Sequence, residues 1–321
     1  MYAPMIERGE MIDGYLGRIK VLSRFSDLPA LRKTLVKKYR QSSDYRHKRK
    51  DEVRDLIDVM QSYTGKTRYE LINEHTCCPS EYLDWMLIDW EKLLATRKAM
   101  TLPFFKFNQH SAKLCVQCVA CDKSEIGTSI WHRSHQVSGM VFCPIHRGEK
   151  LLKAWSSTHV YRNLPEWYLK HRELEPHENY PIAFKAHEEK LKHYGELITS
   201  LMNRRSQISD FLLIRIIEKL KHQPLHQGLK RRVPFESACA PKTWFMSSKY
   251  PRRWLWTNFS STGEIDFYLP SLNQIQKNSW AEIILVLASF TQSVSQVNEI
   301  IDSELSVRAV SHMLSQMNGR H

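Results

Sequence analysis

Four residues in the middle of the chain have the types and the spacing of a zinc site. Cys115 and Cys118 form a Cys-x2-Cys pair, and after 24 further residues Cys143 and His146 form a Cys-x2-His pair. A two-residue gap lets two soft ligands of one turn face the same ion, and two such turns complete a tetrahedral shell. Three thiolates and one imidazole leave no open coordination position, so the pattern predicts a zinc ion that stabilises the fold and performs no hydrolysis.

Neighbouring residues leave two alternatives open. Cys121 also stands two residues after Cys118, so Cys118 and Cys121 could form the first pair instead. A zinc-dependent nuclease built on histidines is the second alternative, and its candidate residues are His132, His135 and His146, with His110 close by in sequence. No carboxylates stand at ligand spacing beside these histidines, which favours packing or phosphate binding for the ones outside the paired motifs.

The chain is strongly basic, and part of its positive charge is clustered. It carries 47 Lys and Arg residues against 34 Asp and Glu residues, a net charge of +13 over 321 residues. Nine of the cations lie between Leu31 and Lys50, and the run ends in Lys48, Arg49 and Lys50. Clustered cations bind phosphates by releasing counterions, so we predict that this run binds nucleic acid; the alternative is a solvated face.

A second basic patch is interleaved with aromatic residues. The segment from Lys249 to Trp256 alternates three cations with three aromatic residues. This composition suits phosphate contacts with base stacking, and it suits equally a protein partner or a core position for the tryptophans. We include Arg252 and Arg253 among the predicted nucleic-acid-binding residues.

Composition and motif content exclude several classes of protein. The longest uncharged apolar stretch, Ile283 to Phe290, is far shorter than the roughly 20 residues that span a bilayer. Seven cysteines without a secretory signal argue against a disulfide framework. We therefore expect a cytoplasmic, nucleoid-associated protein without a membrane partner. No loop of the form G-x4-G-K-[S/T] and no catalytic constellation occur, so we expect a non-enzyme.

The elements that must position these residues are predicted to be mainly helical. Apolar periodicity predicts helices over residues 10–25, 51–62, 188–201, 209–220 and 280–293. A turn containing Gly65, followed by a capping box of Thr67 and Glu70, predicts a helix-turn-helix, although any helical hairpin has the same pattern. Residues 295–317 suggest two short helices around a turn at 302–305, with Ser306 as the second N-cap.

Shifts in composition predict three domains. They are a helical, helix-turn-helix-containing domain over residues 1–102, a zinc-binding module over 103–152 and a helical C-terminal domain over 153–321. The predicted fold class is therefore mainly α with a small metal-stabilised module.

Several motifs resemble the TniQ/TnsD family of transposon target-selection proteins, and most closely its TnsD-like branch. The most specific is the run from Trp131 to Gln136, followed by Gly139 and the pair Cys143 and His146. Asp122 and Trp131 follow Cys118 at the offsets of that family, which favours Cys115 over Cys121 as the partner of Cys118. Residues 4–18 and 68–79 are also similar, so the resemblance covers roughly residues 4–152.

The resemblance implies target-site selection in DNA transposition by a zinc-containing adaptor. Such an adaptor binds target DNA or an RNA-guided CRISPR effector complex and recruits a TnsC-type AAA+ ATPase and the transposase. It also implies that Trp131 and Arg133 contribute to partner binding, and we keep a homodimer among the expected assemblies. The chain departs from many members in lacking a second zinc ribbon and in its short C-terminal half. A zinc-containing helix-turn-helix transcriptional regulator is the alternative function.

Overall fold

The computed structural model describes residues 4–41, 59–77, 111–137, 140–157, 159–174, 188–204, 208, 212–213, 215–216, 232–234, 264–266, 284, 287–288, 291 and 293–318. It is mostly helical, as predicted. The chain forms two compact units: the first unit contains Met1–Pro79 and Trp85–Tyr180, and the second contains Ser80–Asp84 and Pro181–His321. The three predicted domains stay a prediction. Among the described residues, no helix is both long and apolar enough to cross a bilayer.

Helix α1, Ile12–Leu22, confirms the helix predicted near the N-terminus. Its apolar residues recur at helical spacing, and Tyr15, Leu16 and Ile19 are buried in a core that they share with the next helix. A salt bridge between the buried side chains of Glu10 and Arg18, with 2.6 Å between Oε2 and Nη2, ties the start of α1 to its middle. Burial of both charges is tolerable because they are paired and hydrogen-bonded.

Helix α2, Leu28–Arg40, was not predicted from the sequence, because its many cations obscure the spacing of its apolar residues. Asp27 caps it by accepting a hydrogen bond of 2.6 Å from the amide of Ala30. Its buried face consists of Leu31, Leu35 and Tyr39, spaced four residues apart. The exposed face carries the cations Lys33, Lys37 and Lys38. The first half of the basic run is thus the solvated face of an amphipathic helix.

The predicted helix, glycine turn and helix are present between residues 59 and 75. Residues 59–64 are helical, and Gly65 adopts a left-handed φ of 69° that only glycine accepts without strain. Helix α3, Arg68–His75, begins at the predicted capping box, in which Thr67 accepts from the Glu70 amide and Glu70 accepts from the Thr67 amide. The structure thus contains two helices joined by a tight glycine turn, and DNA reading by them stays a prediction.

A pair of short antiparallel strands, far apart in sequence, encloses the predicted zinc module. Strand β1, Ser111–Leu114, pairs antiparallel with β2, Leu152–Trp155. Between them lie α4, Val116–Ile126, and α5, Arg133–Gln136. A 3-10 turn, Val160–Arg162, and α6, Pro165–His171, follow β2. These elements surround a second core around Trp131 that also contains Met11 and Cys77 from the N-terminal segments.

The second unit contains two long helices and a minimal strand pair. Helix α7, Glu188–Asn203, confirms a predicted helix, and β3, Arg232–Pro234, pairs antiparallel with β4, Glu264–Asp266. Within the predicted helices 209–220 and 280–293, the described residues 212–213, 215–216, 284 and 287–288 are helical, whereas residues 291 and 293 at the end of the second are not.

The predicted C-terminal helical hairpin is wrong. Residues 294–318 form one continuous helix, α8, Val294–Asn318. The reason lies at Ser306, whose hydroxyl donates to the carbonyl of Asp302 four residues earlier instead of capping a new helix. No glycine or proline interrupts the segment before its last residues, so nothing forces a turn there.

Gly17 marks the closest approach of α1 to the rest of the first unit. A Cβ atom at this position would lie 2.0 Å from the carbonyl oxygen of Tyr161. Gly17→Ala is therefore expected to lower the free energy of unfolding by about 2–3 kcal/mol, even though alanine favours helices more than glycine. Val21→Ala, on the exposed side of the same helix, is expected to change it by less than about 0.5 kcal/mol. Thermal denaturation measures both, and equal midpoints would contradict the tight contact.

Candidate metal centre

The four predicted metal ligands come together at the junction of α4 with a tight turn. Cys115 immediately precedes α4, and Cys118 lies in its first turn. Cys143 and His146 lie in a turn closed by hydrogen bonds from the Cys143 amide to the Glu149 carbonyl, 2.8 Å, and back from the Glu149 amide to the His146 carbonyl, 3.0 Å. The amide of His146 also donates to the sulfur of Cys143 over 3.3 Å. The local backbone therefore fixes both pairs.

The distances within this cluster fit a tetrahedral site. One ligand atom from each of the four residues lies within 4.8 Å of every other. The sulfur atoms of Cys118 and Cys143 are 3.6 Å apart, and His146 Nδ1 lies 3.2, 3.7 and 3.8 Å from the sulfur atoms of Cys118, Cys115 and Cys143. Tetrahedral zinc with its usual bond lengths places two thiolates about 3.8 Å apart and a thiolate and an imidazole nitrogen about 3.5 Å apart. The cluster could hold a metal ion, and its donor set is compatible with zinc.

A disulfide does not account for the same sulfur atoms. The 3.6 Å between Cys118 and Cys143 greatly exceeds the roughly 2.05 Å of an S–S bond, and the described cysteines are all free thiols. A side-chain hydrogen bond from Cys118, followed by one from His135, lowers the pKa of Cys143. A lowered pKa favours the thiolate of Cys143, the form in which cysteine binds metals.

Cys121 lies outside this cluster. It is exposed, and its sulfur is 3.8 Å from Nε2 of His146, whereas the other three thiols face Nδ1 of that ring. The geometry therefore favours Cys115 and Cys118 as the first pair over Cys118 and Cys121. The identity of the ligands stays a prediction.

His132 and His135 occupy different environments from His146. His135 is buried with 1% exposure, and its Nε2 lies 3.4 Å from the sulfur of Cys143 and 3.7 Å from that of Cys118. Burial lowers the pKa of His135 below its usual value, so its ring is neutral at neutral pH. His132 instead contacts the carboxylate of Asp122 over 3.0 Å. His110 lies outside the described residues. His132 and His135 are not among the four residues whose ligand atoms converge with His146, so the described residues do not assemble the histidine trio of the nuclease hypothesis.

Trp131 is buried in the centre of the first unit. It is 1% exposed, and its ring packs edge-on against Tyr161 and Tyr168 at centroid distances of 5.4 and 5.7 Å. Its indole N–H donates to the carbonyl of Asn163 over 2.9 Å. The carbonyl of Trp131 accepts a hydrogen bond of 2.8 Å from the amide of Met11, which joins this segment to the residue before α1.

Arg133 is also buried, with 6% exposure. Its guanidinium donates to the carbonyl of Asn73 in the last turn of α3, where a cation complements the helix dipole. Burial lowers the pKa of Arg133 to about 10, so the group is still charged at neutral pH. Partner binding by Trp131 and Arg133 stays a prediction. Because both side chains are buried, they would affect a partner indirectly, by supporting the surface that the partner contacts.

Two more contacts fix the C-terminal end of α3 to the rest of the first unit. His75 Nδ1 lies 2.9 Å from the carbonyl of Glu10, and burial lowers the pKa of His75 to about 4, so the neutral ring donates there. The thiol of Cys77 contacts the carbonyl of Arg133 at 3.7 Å. The second helix of the predicted helix-turn-helix is thus anchored on the segment beside the metal cluster. Sequence reasoning missed these contacts because they join residues about 60 positions apart.

The predicted nucleic-acid-binding residues Lys48, Arg49, Lys50, Arg252 and Arg253 lie outside the described residues. The described part of the basic run presents the cationic face of α2, with Lys33, Lys37 and Lys38 exposed.

Comparison with protein-family models gives a match that covers the cluster of Cys115, Cys118, Cys143 and His146. A family model described as TniQ matches residues 1–149. This match supports the TniQ family for that part of the chain, and the TniQ domain is associated with target selection in transposition. Proteins of that family act as adaptors and not as enzymes. No curated protein and no solved structure matches the chain.

Proposed function

We propose that the protein is a zinc-containing adaptor of the TnsD-like type that selects target sites in DNA transposition. In this role it binds target DNA or a nucleoprotein complex and recruits a TnsC-type AAA+ ATPase. The ATPase in turn recruits the transposase. The observation that carries the proposal is the TniQ match over residues 1–149, because the Cys115, Cys118, Cys143 and His146 cluster lies inside it.

The proposed zinc has a structural role. Three thiolates and one imidazole close the coordination shell, so no position is left for a reacting water. The ligands come from both ends of a segment that contains Trp131 and Arg133. Because Trp131 contacts α1 and Arg133 contacts α3, a bound ion would hold these two helices in a fixed relation.

The recruitment surface is proposed to lie on the first unit. The TniQ match is concentrated there, and the hand-over to the ATPase is the step that related targeting systems have in common. A fragment that ends at residue 152 would cut β2 and remove Tyr161 and Tyr168 from the pocket of Trp131. Fragments must therefore divide the chain near residue 180, where the first unit ends.

A capture experiment tests this proposal. Residues 1–180 and residues 181–321 are immobilised separately and offered a TnsC-type AAA+ ATPase, with the full chain as the positive control. Capture by residues 1–180 is expected. Capture by residues 181–321 alone would reverse the proposed roles of the two units, and failure of the full chain to capture the ATPase would contradict recruitment itself.

DNA or nucleoprotein binding is expected to depend on salt through the basic run. Replacing Lys48, Arg49 and Lys50 together by alanine should weaken binding and reduce the slope of log affinity against log salt. Each lost phosphate contact on duplex DNA is worth about 0.9 in that slope. The matched comparison is the triple alanine variant of Lys33, Lys37 and Lys38 on the exposed face of α2. Unchanged slopes in both variants would mean that the run is a solvated face.

A further inference from the structure

His135 lies against the metal cluster without being one of its four converging ligands. Its Nε2 is 3.4 Å from the sulfur of Cys143 and 3.7 Å from that of Cys118, and these two sulfur atoms are 3.6 Å apart. The imidazole therefore faces the edge that joins two thiols. The fourth ligand position is already taken by Nδ1 of His146, which lies 3.2 Å from Cys118.

The chemistry of the cluster requires a donor at this edge. Three thiolates around a divalent cation leave a net charge of −1, and Cys115, Cys118 and Cys143 are all buried. A buried negative charge is costly unless hydrogen bonds stabilise it. Outer hydrogen bonds to metal ligands also orient them and tune their basicity.

We propose that His135 is a positioning residue of the metal centre, whose Nε2–H donates to the thiolates of Cys143 and Cys118 from outside the ligand shell. This inference rests on the proposed metal site. It assigns the Nε2–H tautomer to His135 from the two sulfur atoms that face this nitrogen.

Neighbouring side chains fix the ring of His135 in this orientation. Its ring centroid lies 4.9 Å from that of His132, at an interplanar angle of 44°. His132 is held by the carboxylate of Asp122 at 3.0 Å, and Asp122 also accepts a hydrogen bond from the Ile130 amide over 3.0 Å. Asp122 lies one helical turn after Cys118 in α4. Helix α4 thus carries the proposed ligand Cys118 and also Asp122. Asp122 holds His132, and His132 packs against His135, which faces Cys118.

Metal retention and thiolate reactivity in the full chain test the proposal. His135→Ala is expected to weaken zinc retention against a chelator about 10- to 100-fold, the usual effect of losing an outer hydrogen bond. It should also speed alkylation of the cluster thiols, since an N–H donor lowers their nucleophilicity. His135→Gln, which keeps an N–H donor, should restore most of both properties. His171→Ala, which removes a histidine that stacks on Trp167 at the surface, is the control and should change neither.

Cobalt substitution separates a hydrogen-bond donor from a metal ligand. If His135 donates from outside the shell, the cobalt form of His135→Ala keeps a three-thiolate charge-transfer band of the same intensity at a shifted energy. A change in the d–d bands that signals loss of a nitrogen ligand would overturn the proposal, as would equal zinc retention in native protein and His135→Ala. Absence of metal from the native protein would contradict the metal site itself, which is a different failure. Circular dichroism at the start of each assay confirms that the variants are folded.

Discussion

Cys143→Ser is expected to remove the metal ion and to destabilise the first unit strongly. Structural zinc sites contribute about 10–16 kcal/mol of apparent binding free energy in small zinc-binding peptides, which is as large as the whole stability of a typical domain. Cys143 lies at the centre of the cluster, within 3.8 Å of Cys118, His135 and His146. Elemental analysis of purified protein is expected to give one zinc per native chain and none for the variant. The melting temperature of the first unit should fall by more than about 10 °C.

Cys121→Ser is the matched control for this experiment. It removes a nearby exposed thiol that faces Nε2 of His146, whereas the proposed ligand thiols face Nδ1 of that ring. The variant is expected to keep its zinc and its melting temperature. Zinc retained in Cys143→Ser would rule out the proposed ligand set, and zinc lost in Cys121→Ser would move the first pair to Cys118 and Cys121.

Trp131→Ala is expected to destabilise the first unit by about 3–5 kcal/mol, the usual cost of removing a large aromatic side chain from a core. The ring fills the space between α1, Tyr161 and Tyr168, and its indole hydrogen bond to Asn163 would be lost as well. Chemical denaturation followed by circular dichroism measures the change. Trp155→Ala removes a tryptophan that is 47% exposed at the end of β2, and it should cost about 1 kcal/mol or less.

A third variant, Trp131→Phe, distinguishes two roles for Trp131 in recruitment. If its role is to support a surface, Trp131→Phe should preserve both the fold and capture of the ATPase. If the indole itself contacts the partner, Trp131→Phe should stay folded and lose capture. The burial of Trp131 favours the first result.

The features that could be predicted from the sequence depend on residues a few positions apart. The capping box of Thr67 and Glu70 and the two metal-binding pairs are local patterns, and the structure contains the first and brings the second together. Helices α1 and α7 followed from apolar periodicity over a single segment.

The features that were missed depend either on competing local signals or on distant contacts. In α2, the many cations obscured the cap at Asp27 and the apolar positions Leu31, Leu35 and Tyr39. In α8, Ser306 had the residue type of a cap but made a hydrogen bond within a continuous helix. The approach of His135 to Cys143 and that of Arg133 to Asn73 are products of tertiary packing, and no spacing in the sequence encodes them.

The contact between α1 and Tyr161 also constrains when the protein can finish folding in the cell. A ribosome adds about 5–20 residues per second, so α1 waits on the order of 10 s before Tyr161 is even synthesised. During that time α2 can cover one side of α1, since the two share a core, but the side with Gly14 and Gly17 has no Trp131 or Tyr161 to meet. The nascent chain therefore exposes an unfinished N-terminal helix while residues 23–161, a little under half of the chain, are synthesised. Exposed apolar surface of this kind is what chaperones bind.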